Sequence, residues 1–171
     1  NSELIARSVM FNGSDTIMTK SNSSHSSTEV VMACWFHFTS RTPVNQGILG
    51  LGGGTSGSTN AGVWLSNNST DGGTTDLYLY ANGQGSIAAH HINDYNSWYH
   101  ILASYKLDET NTLDRVKLFL NGELINLFSD ERRGSMGTSF NNTSTYSIGG
   151  LFGSGNPWAG YIAQPVFLDG K

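Results

Sequence analysis

Hydrophobic and polar positions alternate along most of this chain, in short bursts separated by turn residues. Alternation with a period of two marks a β-strand that buries one face. The pattern is clearest in the second half. Trp98-Tyr99-His100-Ile101-Leu102-Ala103-Ser104-Tyr105 is followed by Arg115-Val116-Lys117-Leu118-Phe119-Leu120-Asn121-Gly122-Glu123. Tyr146-Ser147-Ile148-Gly149-Gly150 and the closing stretch from Trp158 to Gly170 complete that series. Each burst is rich in β-branched and aromatic residues and is bounded by Gly, Asn or Asp. The first half predicts further strands at 5–11, 16–19, 30–39, 47–51, 63–66, 77–81 and 87–91. The stretch 30–39 is apolar at nearly every position, which predicts a central strand with both faces buried. Asn82-Gly83 and Asn121-Gly122 are two-residue hairpin turns, the second leading into a strand at 123–127. Residues 21–27 and 141–145 read as polar loops. Apolar periodicity of 3.6 residues is weak everywhere, and 128–136 is the best place for one short helix. About a dozen short strands joined by turns make an all-β sandwich or barrel.

Composition narrows this picture. The 171 residues suit one domain with a core of its own. Only 13% of them are charged, against about a quarter in ordinary globular chains. Gly, Ser, Thr and Asn fill the difference, as turns and polar loops require. A net charge of −4 argues against a nucleic-acid partner, whose binders are basic. Arg132-Arg133 directly follows Asp130-Glu131, so that basic pair is offset by its neighbours. No apolar run approaches the roughly 18–20 residues of a membrane-spanning helix. Cys34, the single cysteine, lies in the apolar run Val30-Val31-Met32-Ala33-Cys34-Trp35-Phe36 and reads as a buried structural thiol. The chain runs from Asn1 to Lys171 and is expected to be one domain of a longer protein.

The strand motifs resemble those of laminin-G-like, concanavalin-A-like domains. Trp98 to Tyr105 resembles their W-h-h-v-a-v-t-y strand, and Leu118-Phe119-Leu120-Asn121-Gly122-Glu123 their L-Y-V-N-G strand and turn. Ser147-Ile148-Gly149-Gly150 resembles the I-G strand, and Trp158-Ala159-Gly160-Tyr161-Ile162-Ala163 the f-x-G-y-I ending. Arg7-Ser8-Val9-Met10-Phe11-Asn12 is similar to the first strand, in the flavour of modules in phage structural and tail proteins. The resemblance implies a jelly roll of two antiparallel sheets over residues 1–171. It implies a binding module on a virion surface, directed at host-cell carbohydrate. One departure is Ala163-Gln164-Pro165, which stands where the family carries an acidic residue.

Catalytic motifs are poorly represented. Glycoside hydrolases of this class place paired carboxylates on one strand, commonly as E-x-D-x-E, because alternate residues share a face. Retention requires the two carboxyls about 5 Å apart. The sequence has no such string: Asp108-Glu109 and Asp130-Glu131 are adjacent pairs, which a strand would point to opposite sides. The chain is therefore expected not to be an enzyme, with a glycoside hydrolase as the lesser alternative. Gly52-Gly53-Gly54-Thr55-Ser56-Gly57 fits G-x-G-x-x-G formally, but no helix or βαβ unit follows it. His90 and His91 are neighbours, so strand geometry separates their rings, while His37 and His100 sit in apolar strands. Zinc spacing is absent. Calcium is the metal to consider, since it takes clustered oxygen ligands. Asp15 in the first turn and Asp169 at the end of the last strand would meet if the terminal strands pair side by side. Asp71 and Asp76 flank a glycine turn with Asn67 and Asn68 nearby, a second oxygen-rich group, and turn chemistry is the plainer reading of both groups.

A carbohydrate site needs an aromatic platform beside a few planar polar groups. Trp64, Tyr78 and Tyr80 flank the segment 67–76, and Tyr78 and Tyr80 alternate with Leu77 and Leu79 on one strand face. The candidate ligand residues are therefore Trp64, Asn67, Asn68, Asp71, Tyr78, Tyr80 and Trp158. The plainer reading makes the tyrosine face core or an oligomer contact. Trp35 and Trp98 read as core. Two function classes follow: a glycan-binding module for host attachment, or a capsid or tail decoration domain whose faces bind neighbouring virion subunits or further copies of itself.

Overall fold

The computed structural model describes residues 7–21, 25–39, 45–52, 61–68, 74–81, 84–92, 94–125, 140–142, 145–150 and 156–170. Among the described residues fourteen strands run in the order β1 (Val9–Asn12), β2 (Met18–Ser21), β3 (His25–Ser27), β4 (Glu29–Phe38), β5 (Asn45–Leu51), β6 (Ala61–Asn68), β7 (Thr74–Ala81), β8 (Gln84–Ile92), β9 (Tyr99–Lys106), β10 (Val116–Leu120), β11 (Glu123–Ile125), β12 (Phe140–Asn142), β13 (Thr145–Ile148) and β14 (Ala159–Asp169). A single 3₁₀ turn at Thr112–Asp114 is the helical element among the described residues. The Asn111 side chain caps it by accepting from the Leu113 N–H.

The strands form two six-stranded antiparallel sheets, ordered β1-β14-β4-β9-β10-β11 and β2-β13-β5-β6-β7-β8, plus a β3-β12 ribbon. This is an all-β sandwich, one of the two architectures that the alternation predicts, and the two-sheet jelly roll that the family resemblance implies. The ribbon corrects the loops read at 21–27 and 141–145. Ser27 lies opposite Phe140, and Phe140 is buried against Tyr105. Short Ser- and Asn-rich strands carry almost no alternation signal, so only pairing makes them visible. The helix predicted at 128–136 and the turn at 82–83 lie outside the described residues.

The core lies between the sheets. The first sheet contributes Val30, Met32, Cys34, Phe36 and Phe38 from β4, and Ile101, Ala103 and Tyr105 from β9. The second contributes Leu49, Leu51, Val63, Leu65, Leu77 and Leu79. Tyr105 spans the core, and its hydroxyl donates to the Gly62 carbonyl at 3.0 Å. Gln46, fully buried on β5, accepts from the Ala159 N–H of β14 at 2.9 Å. These two bonds tie the sheets to each other and leave their own polar groups paired, as burial demands.

β4 is central in its sheet, yet only one of its faces is sealed. Its residues alternate strictly between buried and half-buried. Val31, Ala33, Trp35 and His37 face outward, beside His100 and Leu102 of β9 and Tyr161 of β14. Trp35 packs on His100, and Trp98 on His37 and Tyr161. Both tryptophans expected in the core thus lie half-buried on an outer face. Composition alone cannot tell a strand buried on both faces from one with a single apolar exposed face.

Candidate functional site

The second sheet turns a different surface outward. Leu65, Val63 and Ala61 point into the core, so strand alternation sends Ser66, Trp64 and Gly62 to the outside. The register builds three cross-strand rows there. Asn45, Ser66 and Asp76 form a polar row. Gly47, Trp64 and Tyr78 form an aromatic row, and Gly50, Gly62 and Tyr80 a third. Successive rows are about 6.6 Å apart along the strands. Trp64 therefore sits between two phenols, with ring centroids 6.2 Å from Tyr78 and 6.1 Å from Tyr80. All three rings are half-buried, neither sealed in the core nor fully free. The outward glycines leave no side chain standing in front of the rings from β5 and β6.

Polar groups border this platform on one side. The Ser66 hydroxyl donates to Asn45 Oδ1 at 2.9 Å, which leaves the amide nitrogen of Asn45 directed elsewhere. The Tyr78 hydroxyl points to Asp76 Oδ2 at a long 3.5 Å. Asp76 is 7% exposed and is the only carboxylate in the six strands of this sheet. The indole N–H of Trp64 is shielded from solvent and has no acceptor. Leaving a buried donor unpaired costs about 1–3 kcal/mol.

The predicted ligand residues divide. Trp64, Tyr78 and Tyr80 come together as described. Asn67 and Asn68 close β6, opposite Thr75 and Thr74. Asp71 lies outside the described residues. Trp158 is a correction: it is fully buried, packed edge-on to Phe36 and near Phe38, and offers no ring to a ligand. It continues the inward series of Gly160 and Ile162, whose partners Phe38 and Phe36 line the core. Asn45, Ser66 and the outward glycines went unread in the sequence. No local pattern marks them, because only cross-strand register sets them beside Trp64.

The calcium pairing of Asp15 with Asp169 is also corrected. The terminal strands do pair, but antiparallel, with Asn12 opposite Ala159. Asp15 therefore sits at the Ala159 end of β14 and Asp169 at the other, separated by roughly 33 Å at about 3.3 Å per residue. Asp15 instead closes its own turn, accepting from Asn12 Nδ2 at 2.6 Å and Ser14 Oγ at 3.1 Å. Those bonds, the Asn12 one foremost, hold its carboxyl below the usual range. Among the described residues, no three His, Cys, Asp or Glu side chains gather as a metal site.

Two grooves lie elsewhere. One of about 440 Å³ opens between Lys20, Tyr146 and Phe167 at the sandwich edge. Another of about 410 Å³ crosses β4, β9 and β14 near Lys106 and Leu168. Neither includes a residue of the three rows, and neither combines stacked aromatic rings with an orienting amide or carboxylate on a sheet face.

A family model of the concanavalin A-like lectin/glucanases superfamily matches residues 11–170. Solved structures share the fold at low identity. A heptameric SAP-like pentraxin from Limulus polyphemus superposes with a TM-score of 0.67 at 15% identity, covering 94% of this chain and 74% of that one. The CBM40 of a Ruminococcus gnavus IT-sialidase, bound to α2,3 sialyllactose, gives 0.53 at 16% identity, with 95% and 91% covered. The enzymatically active domain of bacteriophage CBA120 tailspike protein 2 gives 0.58 at 14%, with 100% of this chain and 31% of that one covered. Among curated proteins none matches the chain in sequence.

Proposed function

The chain belongs to the concanavalin A-like lectin/glucanase superfamily, and on that premise we propose that it is a non-catalytic carbohydrate-binding module. The single observation behind this reading is the Trp64 platform: one indole between two phenols, half-buried on an outward sheet face, with Asn45, Ser66 and Asp76 in the next row. Pyranose rings have an apolar C–H face that stacks on such rings, while planar amide and carboxylate groups orient their hydroxyls. The non-catalytic part rests on Asp76. Glycoside hydrolysis uses two carboxyls about 5–9.5 Å apart, and the strands of this sheet supply one. The likeness to a tailspike domain and to a sialidase-borne carbohydrate-binding module supports a place on a phage virion or a similar surface assembly, attaching it to host glycan.

A glycan array on the isolated chain, run with and without calcium, tests this reading. Binding to defined glycans in either condition supports it. Silence across the array in both conditions overturns it.

A second reading has an observation of its own. The outer face of the first sheet is apolar where a water-facing sheet would alternate to polar. Val31, Ala33, Leu102 and Phe119 lie side by side across β4, β9 and β10, and Val166, Leu168 and Leu124 are 42%, 61% and 56% exposed around them. Glu29, Lys106 and Lys117 stand toward one end only. A contiguous patch of this kind fits contact with a neighbouring virion subunit or a second copy of the chain. Sedimentation of wild type beside Leu102→Glu tests the homo-oligomer form. Loss of a dimer in the variant supports it, and a wild-type monomer at all concentrations overturns it.

A further inference from the structure

We infer that the Trp64 face selects uncharged glycans and discriminates against sialylated or other acidic ones. The inference rests on the carbohydrate-binding reading and narrows its ligand class.

Charge decides the matter. From Thr42 to Tyr105 the chain contains no Lys or Arg, and this span includes all of β5, β6, β7 and β8. Its acidic residues are Asp71, which lies outside the described residues, Asp76 and Asp94. Asp76 stands in the polar row next to the aromatic one. Asp94, held below the usual carboxylate range chiefly by its hydrogen bond from Ser97, stands beside Tyr99 at the start of β9, on the first sheet. The described cations lie elsewhere. Arg7, just ahead of β1, and Lys106, Arg115 and Lys117 belong to the first sheet and its approach. Lys20 is on β2, beyond β13 and β5 from the Trp64 strand, roughly 14 Å away at about 4.8 Å per strand. It also lines the edge groove with Tyr146 and Phe167.

A carboxylate on a sugar is recognised by a cation or by a cluster of N–H donors, and desolvating it without one is costly. On this face a sialic-acid carboxylate would meet an aspartate and no Lys or Arg among the described residues. The histidines of β8, His90 and His91, lie opposite Leu77 and Asp76 in the register. Neutral hexoses need none of this: they stack on Trp64 and share hydroxyls with Asn45, Ser66 and Asp76. The face therefore departs in ligand chemistry from the sialidase module that shares its fold and is bound to α2,3 sialyllactose.

The test is a matched-pair titration of the whole chain at pH 7.5. Each neutral glycan that binds on the array is compared with the same glycan carrying a terminal sialic acid, lactose and 3′-sialyllactose among them. We expect the acidic member to bind on the order of tenfold more weakly or worse. The deficit should shrink in high salt, while neutral binding stays constant. Asp76→Asn should raise the affinity for the sialylated member relative to its neutral partner, and an unchanged ratio overturns the role given to Asp76. Equal or tighter binding of sialylated members overturns the inference and leaves the carbohydrate-binding reading intact. No binding by either member of any pair overturns both.

Discussion

Trp64 is outward only because Val63 and Leu65 on either side of it are inward, and its ring is placed by two tyrosines on the neighbouring strand. Its removal should cost binding and little stability, since it is not part of the sealed core. Trp64→Ala is expected to lose on the order of 30-fold or more in glycan affinity, the effect of a central aromatic anchor, with an unchanged far-UV spectrum. Calorimetry and circular dichroism on the same sample check both halves. Cys34 shows the opposite economy of position. Burial pushes its thiol above the ordinary value of 9.0. Burial likewise raises the Tyr105 phenol above 10.0. A group whose pKa is higher folded than unfolded contributes fully below its unfolded value, and that contribution is lost as pH rises past it. Stability should therefore be flat with respect to these groups up to about pH 9 and decline above it, thiol first and phenol next. Urea midpoints across pH 8–11 measure this, and Cys34→Ala should delay the onset by about one pH unit. The same burial predicts that native Cys34 resists thiol reagents at neutral pH.

At the scale of elements, β14 is the strand on which the first sheet depends. It lies between β1 and β4, and a register shift between Ala163 and Val166 changes which residues face the core. Gln164, at φ 50°, sits in that irregularity, which explains why Gln164-Pro165 departs from the family ending without breaking the sheet. Proline is tolerated there because a bulge has no ladder bond for its missing N–H to make. Gly160, at the other end of β14, is fixed by space and by its φ of 150°. A Cβ at this site would lie 2.1 Å from the His37 carbonyl oxygen and 2.8 Å from Phe38 Cα. Both are backbone atoms and cannot step aside. Gly160→Ala should therefore destabilise by at least about 1–3 kcal/mol, the usual cost of overpacking, read from the shift in urea midpoint. The motif W-x-G-Y in the sequence records this close approach without revealing its partner.

At the scale of the whole molecule, first and last strands are neighbours, so the sheet closes only when the entire chain is present. Such non-local pairing is slow to form and all-or-none once formed. A chain truncated before residue 159 should lack both the β4 partner strand and the inward Ile162, and should show no cooperative urea transition by tryptophan fluorescence, whereas the full chain shows one. The alternation of apolar and polar residues determined, by itself, the fold class, most strands and the identity of the core positions, because a period of two reports burial directly. It also placed Tyr78 and Tyr80 on one face. It could not determine on which side of which sheet that face lies, nor that Asn45, Ser66 and three glycines share it, because those neighbours come from strands apart in sequence. Trp35, Trp98 and Trp158 make the same point. Their composition is alike, and register alone sends two outward and one into the core. The antiparallel sense of one pairing, β1 with β14, set Asp15 and Asp169 at opposite ends of the molecule. Local pattern carries the energy of burial, which is a property of each strand. Site chemistry is a property of strands laid side by side, and only the tertiary register decides it.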